Sequence, residues 1–195
     1  SSCPSPSTIV RTNESLHKHT YTIPNDETQS NLYRCTYSDE DVKIKFPIFL
    51  INGSHDQPSG EKVTSPCQIL SSCGLLFYFK KSPDDPPFNL KPVMIERGDM
   101  TIVIYGLNYI YNEKFLSLLK ITADSSGNPR LEFENIPDEG DTKRYNILII
   151  HQNKNLYVSS LLSKICPWMN LIIFGHEHDR KTIMEHKDGF DILQP

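Results

Sequence analysis

The stretch "NLIIFGHEHDR", residues 170–180, decides how this chain is read. Leu171, Ile172, Ile173 and Phe174 form an apolar run of strand length, and Gly175 marks a tight exit from it. Two imidazoles, His176 and His178, then flank Glu177. Residues i and i+2 of an extended chain point the same way, so these two histidines are able to share one site. The motif has company. The run "IKFPIFLI" ends in Gly53-Ser54-His55-Asp56, and "YNILII" ends in His151-Gln152-Asn153. Ligands of α/β sheets bind just beyond the carboxyl ends of the strands, and three separate segments deliver histidine to that edge. Imidazole suits zinc, manganese and iron. A lone His-x-His is more often solvated than ligating; three such strand ends together argue for a metal. His17, His19 and His186 lie in polar surroundings and read as solvated.

Outward from these strands the chain reads as α/β. The segment 42–51 is expected to be a strand, buried and central in its later part. "NGSHDQPSG" is turn chemistry. "TSPCQILSSCGLLFYF" is a helix capped by Thr64 or Ser65, with Pro66 in its first turn and Gly74 near its end. "VMIERGDMTIVIYGL" is a β-hairpin turning at Arg97-Gly98-Asp99. "NEKFLSLLKI" is an amphipathic helix, and residues 122–144 a polar, acidic insertion of low order. "VSSLLSKICPW" is a helix, and "TIMEHKDGFDILQP" a last hairpin. Residues 1–45 are polar, with "NESLHKHTY" helical and "PNDETQSN" a loop. No internal repeat is found.

The 195 residues suffice for one domain with a core. A net charge of −4 leaves no global basic field, so any nucleic-acid contact must be local. No apolar run reaches the roughly 18–20 residues that span a membrane, and the first residues show no secretory signal. Cys3, Cys35, Cys67, Cys73 and Cys166 form no Cys-x-x-Cys pair and read as reduced thiols. The glycosylation-like "NES" at Asn13 and "NGS" at Asn52 read as chance.

"GSHDQPSG", "ILIIHQNK" and "IIFGHEHD", in this order, resemble the calcineurin-like metallophosphoesterases. More closely they resemble the DNA double-strand-break-repair nucleases of the meiotic-recombination-eleven type. "IVIYGLNYI" and "CQILSSCGLLFYF" are similar to further segments of that family. The likeness covers about 44–195, three quarters of the chain. It implies a calcineurin-like β-sandwich flanked by helices, here partial. Residues 1–43 would be a polar N-terminal segment, the remnant of a helix and loop, and 44–195 a truncated nuclease domain without a capping domain.

The resemblance also implies roles. His151 and His176 would hold one ion of a manganese pair (Mn2+), and His178 the other. His55 would be the catalytic imidazole, and Asp56 would orient it. Ser54 stands where the family has a metal-binding Asn. The family's early Asp-x-His and Gly-Asp motifs, which carry about half the ligands, are not found before residue 44, so the chain is expected to begin downstream of them. Implied partners are DNA ends, a second copy in a homodimer, an SMC-like Rad-type ATPase and a third regulatory subunit, in the nucleus and without a membrane. The implied activity is manganese-dependent endonuclease and 3′–5′ exonuclease cleavage. The alternative is a degenerate, non-catalytic relative that serves as an interaction module. Residues 64–79 hold more apolar side chains than one core face needs, so an exposed apolar patch is expected there.

Overall fold

The computed structural model describes residues 7–11, 20–24, 47–58, 64–79, 88–123, 131–179, 181–187 and 189–195. Twelve strands and three helices are found among them. In chain order they are β1 (Ser7–Arg11), β2 (Thr20–Pro24), β3 (Phe49–Leu50), α1 (Pro66–Ser72), β4 (Phe77–Tyr78), β5 (Phe88–Leu90), β6 (Val93–Arg97), β7 (Met100–Leu107), α2 (Asn112–Ala123), β8 (Leu131–Phe133), β9 (Arg144–Ile150), α3 (Leu156–Ile165), β10 (Leu171–Phe174), β11 (Lys181–Lys187) and β12 (Phe190–Gln194). Eight strands form one mixed sheet in the order β1-β2-β6-β7-β9-β10-β12-β11. β7, β9, β10 and β12 run parallel at its centre.

Alternation along these central strands divides the core. Val103, Tyr105 and Leu107 of β7, Leu148 and Ile150 of β9, and Ile172 and Phe174 of β10 face one side. There they meet Phe115, Leu118 and Leu119 of α2 and Val158, Leu161 and Leu162 of α3. Ile104, Ile147 and Ile149 face the other side and meet Phe49 of β3, Phe77 of β4 and the adjoining Phe79. Gly106 makes that second contact close. A Cβ there would stand 2.3 Å from Cγ of Phe79.

Several local expectations hold. Ser65 caps α1, accepting from the Gln68 N–H, with Pro66 at the first helical position. The β6–β7 hairpin turns at Gly98, whose φ is 58°. The cap of α3 is not among those expectations: Asn155 accepts from the Val158 N–H. Other expectations need correction. Of the run 42–51, expected to become a buried central strand, residues 42–46 lie outside the described residues, and the described strand Phe49–Leu50 is half-buried and pairs in parallel with β4, apart from the large sheet. The acidic insertion is not wholly irregular. Leu131 is buried, and β8 pairs in parallel with β5. Of the expected N-terminal helix, residues 13–19 lie outside the described residues, while Thr20 and Tyr21 lie in strand β2.

Ile69, Leu70 and Leu75 are 55%, 41% and 49% exposed, whereas Leu76, Phe77 and Phe79 are buried. The segment 64–79 therefore does carry an exposed apolar patch. Asn52 is fully buried, which leaves no room for a glycan. Cys67, Cys73 and Cys166 are free thiols. Among the described residues no helix is long and apolar enough to cross a membrane.

Candidate metal centre

Sheet register assembles the site. Leu107 of β7 and Phe174 of β10 both pair with Ile150 of β9, so the three strands end level. One residue further lies His151; two residues further lie Tyr109 and His176. These three rings form one cluster. Nε2 of His151 and Nδ1 of His176 are 3.3 Å apart. The ring of Tyr109 stacks on His176 at 5.7 Å and 22°, and meets His151 edge-on at 6.1 Å.

Two glycines clear space for His151. A Cβ on Gly175 would stand 2.8 Å from its Nδ1, and one on Gly53 would stand 3.3 Å from Cε1 and Nε2. His176 is held with φ 81°, the left-handed region that a side chain other than glycine adopts at a cost. Such strain persists where the surroundings over-determine it, as they do at functional sites.

The 53–56 turn closes the other side. The Asp56 N–H donates to the Gly53 carbonyl at 3.3 Å, and the Gly53 N–H donates to Oδ2 of Asp56 at 3.2 Å. The Asp56 carboxylate is thus engaged by backbone. No hydrogen bond joins it to His55 among the described residues. His55 is exposed and Ser54 half-buried. Burial holds His151 below the usual imidazole range, the neighbouring His176 adds to this, Asp56 opposes it and His55 adds a little more. These couplings put His55 and Asp56 within electrostatic reach of His151. Cys67 is no ready nucleophile: burial pushes its thiol up, and the Asp56 charge adds to the effect.

His178 is different. It is exposed, and no hydrogen bond or ring contact joins it to His151 or His176 among the described residues. Nor do any three His, Cys, Asp or Glu side chains among the described residues converge as a metal cage. The donor pair His151–His176 nevertheless suits one ion. Two imidazole nitrogens bound tetrahedrally, each on a bond of roughly 2.0–2.1 Å, stand about 3.4 Å apart. The observed 3.3 Å is that separation. A second ligand set is not present among the described residues.

Three residues escaped the sequence reading. Tyr109 is one. Asn52 and Gln152 are the others: both are fully buried, and neither side-chain amide has a hydrogen-bond partner among the described residues. Unpaired buried amides are uncommon and mark a place for a ligand, ion or water. Asn52 lies two residues after β3, and Gln152 two residues after β9. The loop after β9 also borders a cleft of about 440 Å³ lined by Lys154, Glu177, Asp179 and Glu185, in which Lys154 and Glu185 pair at 2.8 Å.

No family model matches the chain. Curated proteins do. The double-strand break repair protein MRE11 of Encephalitozoon cuniculi is 32% identical over 182 residues, covering 90% of this chain and 29% of that protein. MRE11 of Arabidopsis thaliana is 29% identical over 213 residues, covering 98% and 29%. The double-strand break repair protein mus-23 of Neurospora crassa is 27% identical over 164 residues, covering 82% and 21%. The chain therefore spans less than a third of the length of these relatives.

Proposed function

We propose, for a chain that belongs to the MRE11-type family of double-strand break repair proteins, that the strand-end cluster is part of a metal-dependent centre for hydrolysing DNA phosphodiesters. The fold around it would be the calcineurin-like sandwich, with β3–β4 on one face of the large sheet and α2 and α3 on the other. The observation that carries the reading is the 3.3 Å pairing of His151 and His176 at level parallel strand ends.

His151 and His176 would hold one manganese ion, which would supply Lewis acidity and a water of lowered pKa. His178 and Ser54 would contribute to a second ion. The chain's own residues would do the rest. Asp56 rigidifies the turn that presents His55. His55, exposed at the mouth, would donate a proton to the departing oxygen of the phosphodiester. Burial of His151 keeps it neutral, the form that binds a metal. The exposed Ile69–Leu70–Leu75 patch suits a homodimer contact. An SMC-like ATPase, a third subunit and a nuclear location complete the reading as a repair subunit. The non-catalytic alternative is not favoured by any single feature of the site.

The test has two readouts. Manganese binding to the purified chain, followed by electron paramagnetic resonance, should be weak and should involve one ion. It should be lost in His151→Ala and His176→Ala and kept in His186→Ala, whose ring is exposed and paired with Asp191 at 2.9 Å. Binding that survives both site variants would sink the assignment. Nucleotide release from a 3′-recessed duplex should be slow or absent, because so few ligands converge. Strong release that His55→Ala abolishes would mean that fewer ligands suffice.

A further inference from the structure

We propose that Tyr111, braced by Tyr109, is a stacking platform for an unpaired nucleobase of the DNA strand whose phosphate lies at the histidine pair. This rests on the reading of the cluster as a phosphodiester centre.

The geometry is a chain of rings that leads outward from the metal-ligating pair. Tyr109 stacks on His176 at 5.7 Å, and Tyr111 meets Tyr109 edge-to-face at 5.8 Å and 68°. Tyr109 is half-buried, whereas Tyr111 is 74% exposed. Two ring steps thus separate His176 from an open aromatic surface, a reach of the order of one nucleotide.

Both tyrosines stand on fixed backbone. The Tyr109 N–H donates to the Asn52 carbonyl at 3.1 Å. The neighbouring Asn108 side chain accepts from the Asn52 N–H and donates to the Phe79 carbonyl at 2.8 Å. The Tyr111 carbonyl accepts from the Phe115 N–H at 2.9 Å, which ties it to the start of α2. An aromatic ring on rigid backbone has two side-chain torsions to lose on binding, so it binds flat partners at low entropic cost. Another exposed ring, Tyr157, has the Lys120 ammonium 5.5 Å from its centre. Among the described residues no cation lies over the Tyr111 ring.

Charge makes the platform useful. The chain carries −4 overall and has no general attraction for a polyanion. Stacking is insensitive to charge and tolerant of sequence, since every base has a π-face. It would also favour a frayed or single-stranded end over a paired one, because only an unpaired base is free to leave its own stack.

The experiment compares a short labelled strand of deoxythymidines with an abasic strand of equal length and equal phosphate count. Binding to the full chain is read by fluorescence anisotropy with manganese present. The base-bearing strand should bind tighter by roughly 5- to 150-fold, the range of one base–aromatic stack. Tyr111→Ala should bring the two affinities together, and Tyr111→Trp should keep them apart, with circular dichroism confirming that both variants fold. Equal affinities for the two strands in the parent, or a gap that survives Tyr111→Ala, would overturn the platform. The site reading is judged separately. Its failure would show as an abasic strand that binds His176→Ala as well as the parent. No binding of either strand would overturn both.

Discussion

The imidazole of His151 lies against the bare Cα of Gly175, so close that a Cβ there would stand 2.8 Å from Nδ1. The Gly175 backbone cannot retreat, because its N–H donates to the Ile150 carbonyl at 2.8 Å. Gly175→Ala should therefore push the ring out of line and cost about 1–3 kcal/mol, the usual penalty of overpacking. Gly53→Ala should cost less, since its nearest clash is the rotatable carboxylate of Asp56. Denaturant unfolding of both variants checks the order, and equal costs would contradict it.

His176 bears a strained backbone, and the strain has a signature. Replacement by alanine or glycine removes the same ring, but glycine alone relaxes φ 81°. His176→Gly should be more stable than His176→Ala by about 1 kcal/mol. The opposite order in thermal unfolding would place the strain elsewhere.

The titration of His151 has a definite sign. Burial, then His176, holds its folded pKa below the unfolded value of about 6.5. Between the two values the unfolded chain binds more protons, so stability falls as pH drops through about 6.5 and levels off below the folded pKa. Asp56 opposes the depression. Asp56→Asn should thus lower the His151 midpoint further, as read from its ring proton by NMR. A rise in that midpoint would show that the carboxylate acts otherwise.

Asn108 bridges two pieces of backbone. Its side chain accepts from the Asn52 N–H and donates to the Phe79 carbonyl. Asn108→Ala would leave both buried groups unpaired, each costing about 1–3 kcal/mol. The loss should reach at least about 2 kcal/mol in chemical denaturation. A neutral result would mean that water takes over the bridge.

The patch of Ile69, Leu70 and Leu75 should drive self-association. Leu70→Glu should shift the chain toward monomer in sedimentation velocity. A parent that is already monomeric, or a variant that still dimerises, would remove the patch from the interface.

The centre of the large sheet was legible because its signals are local. Apolar runs ending at His151 and at Gly175-His176 show both the strand and its mouth, and parallel pairing fixes their level. The β6–β7 turn and the cap of α1 rest on residues whose chemistry is equally local. What stayed hidden depends on pairing across distance. Phe49 and Leu50 look like a central strand in isolation, but their one described partner is β4. Leu131 looks like part of a polar insertion until β5 reaches it. The β-branched run Thr8-Ile9-Val10 and the segment Tyr21-Thr22-Ile23 did carry a strand signal, which the surrounding polarity outweighed. Tyr109 reaches the histidines through register, and the bare amides of Asn52 and Gln152 show only once burial is known.

Gly106 has a consequence for the accuracy of the whole arrangement. With no side chain of its own, it lets the Phe79 ring rest directly on β7. That contact works as a shim: it sets the gap between the large sheet, which carries His151 and His176, and the β3–β4 pair, which carries the Gly53–Asp56 turn. A thicker residue would lift the turn away from the imidazoles without touching any of them. The alignment of His55 with its neighbours is calibrated inside the core, by the thickness of one missing methyl group.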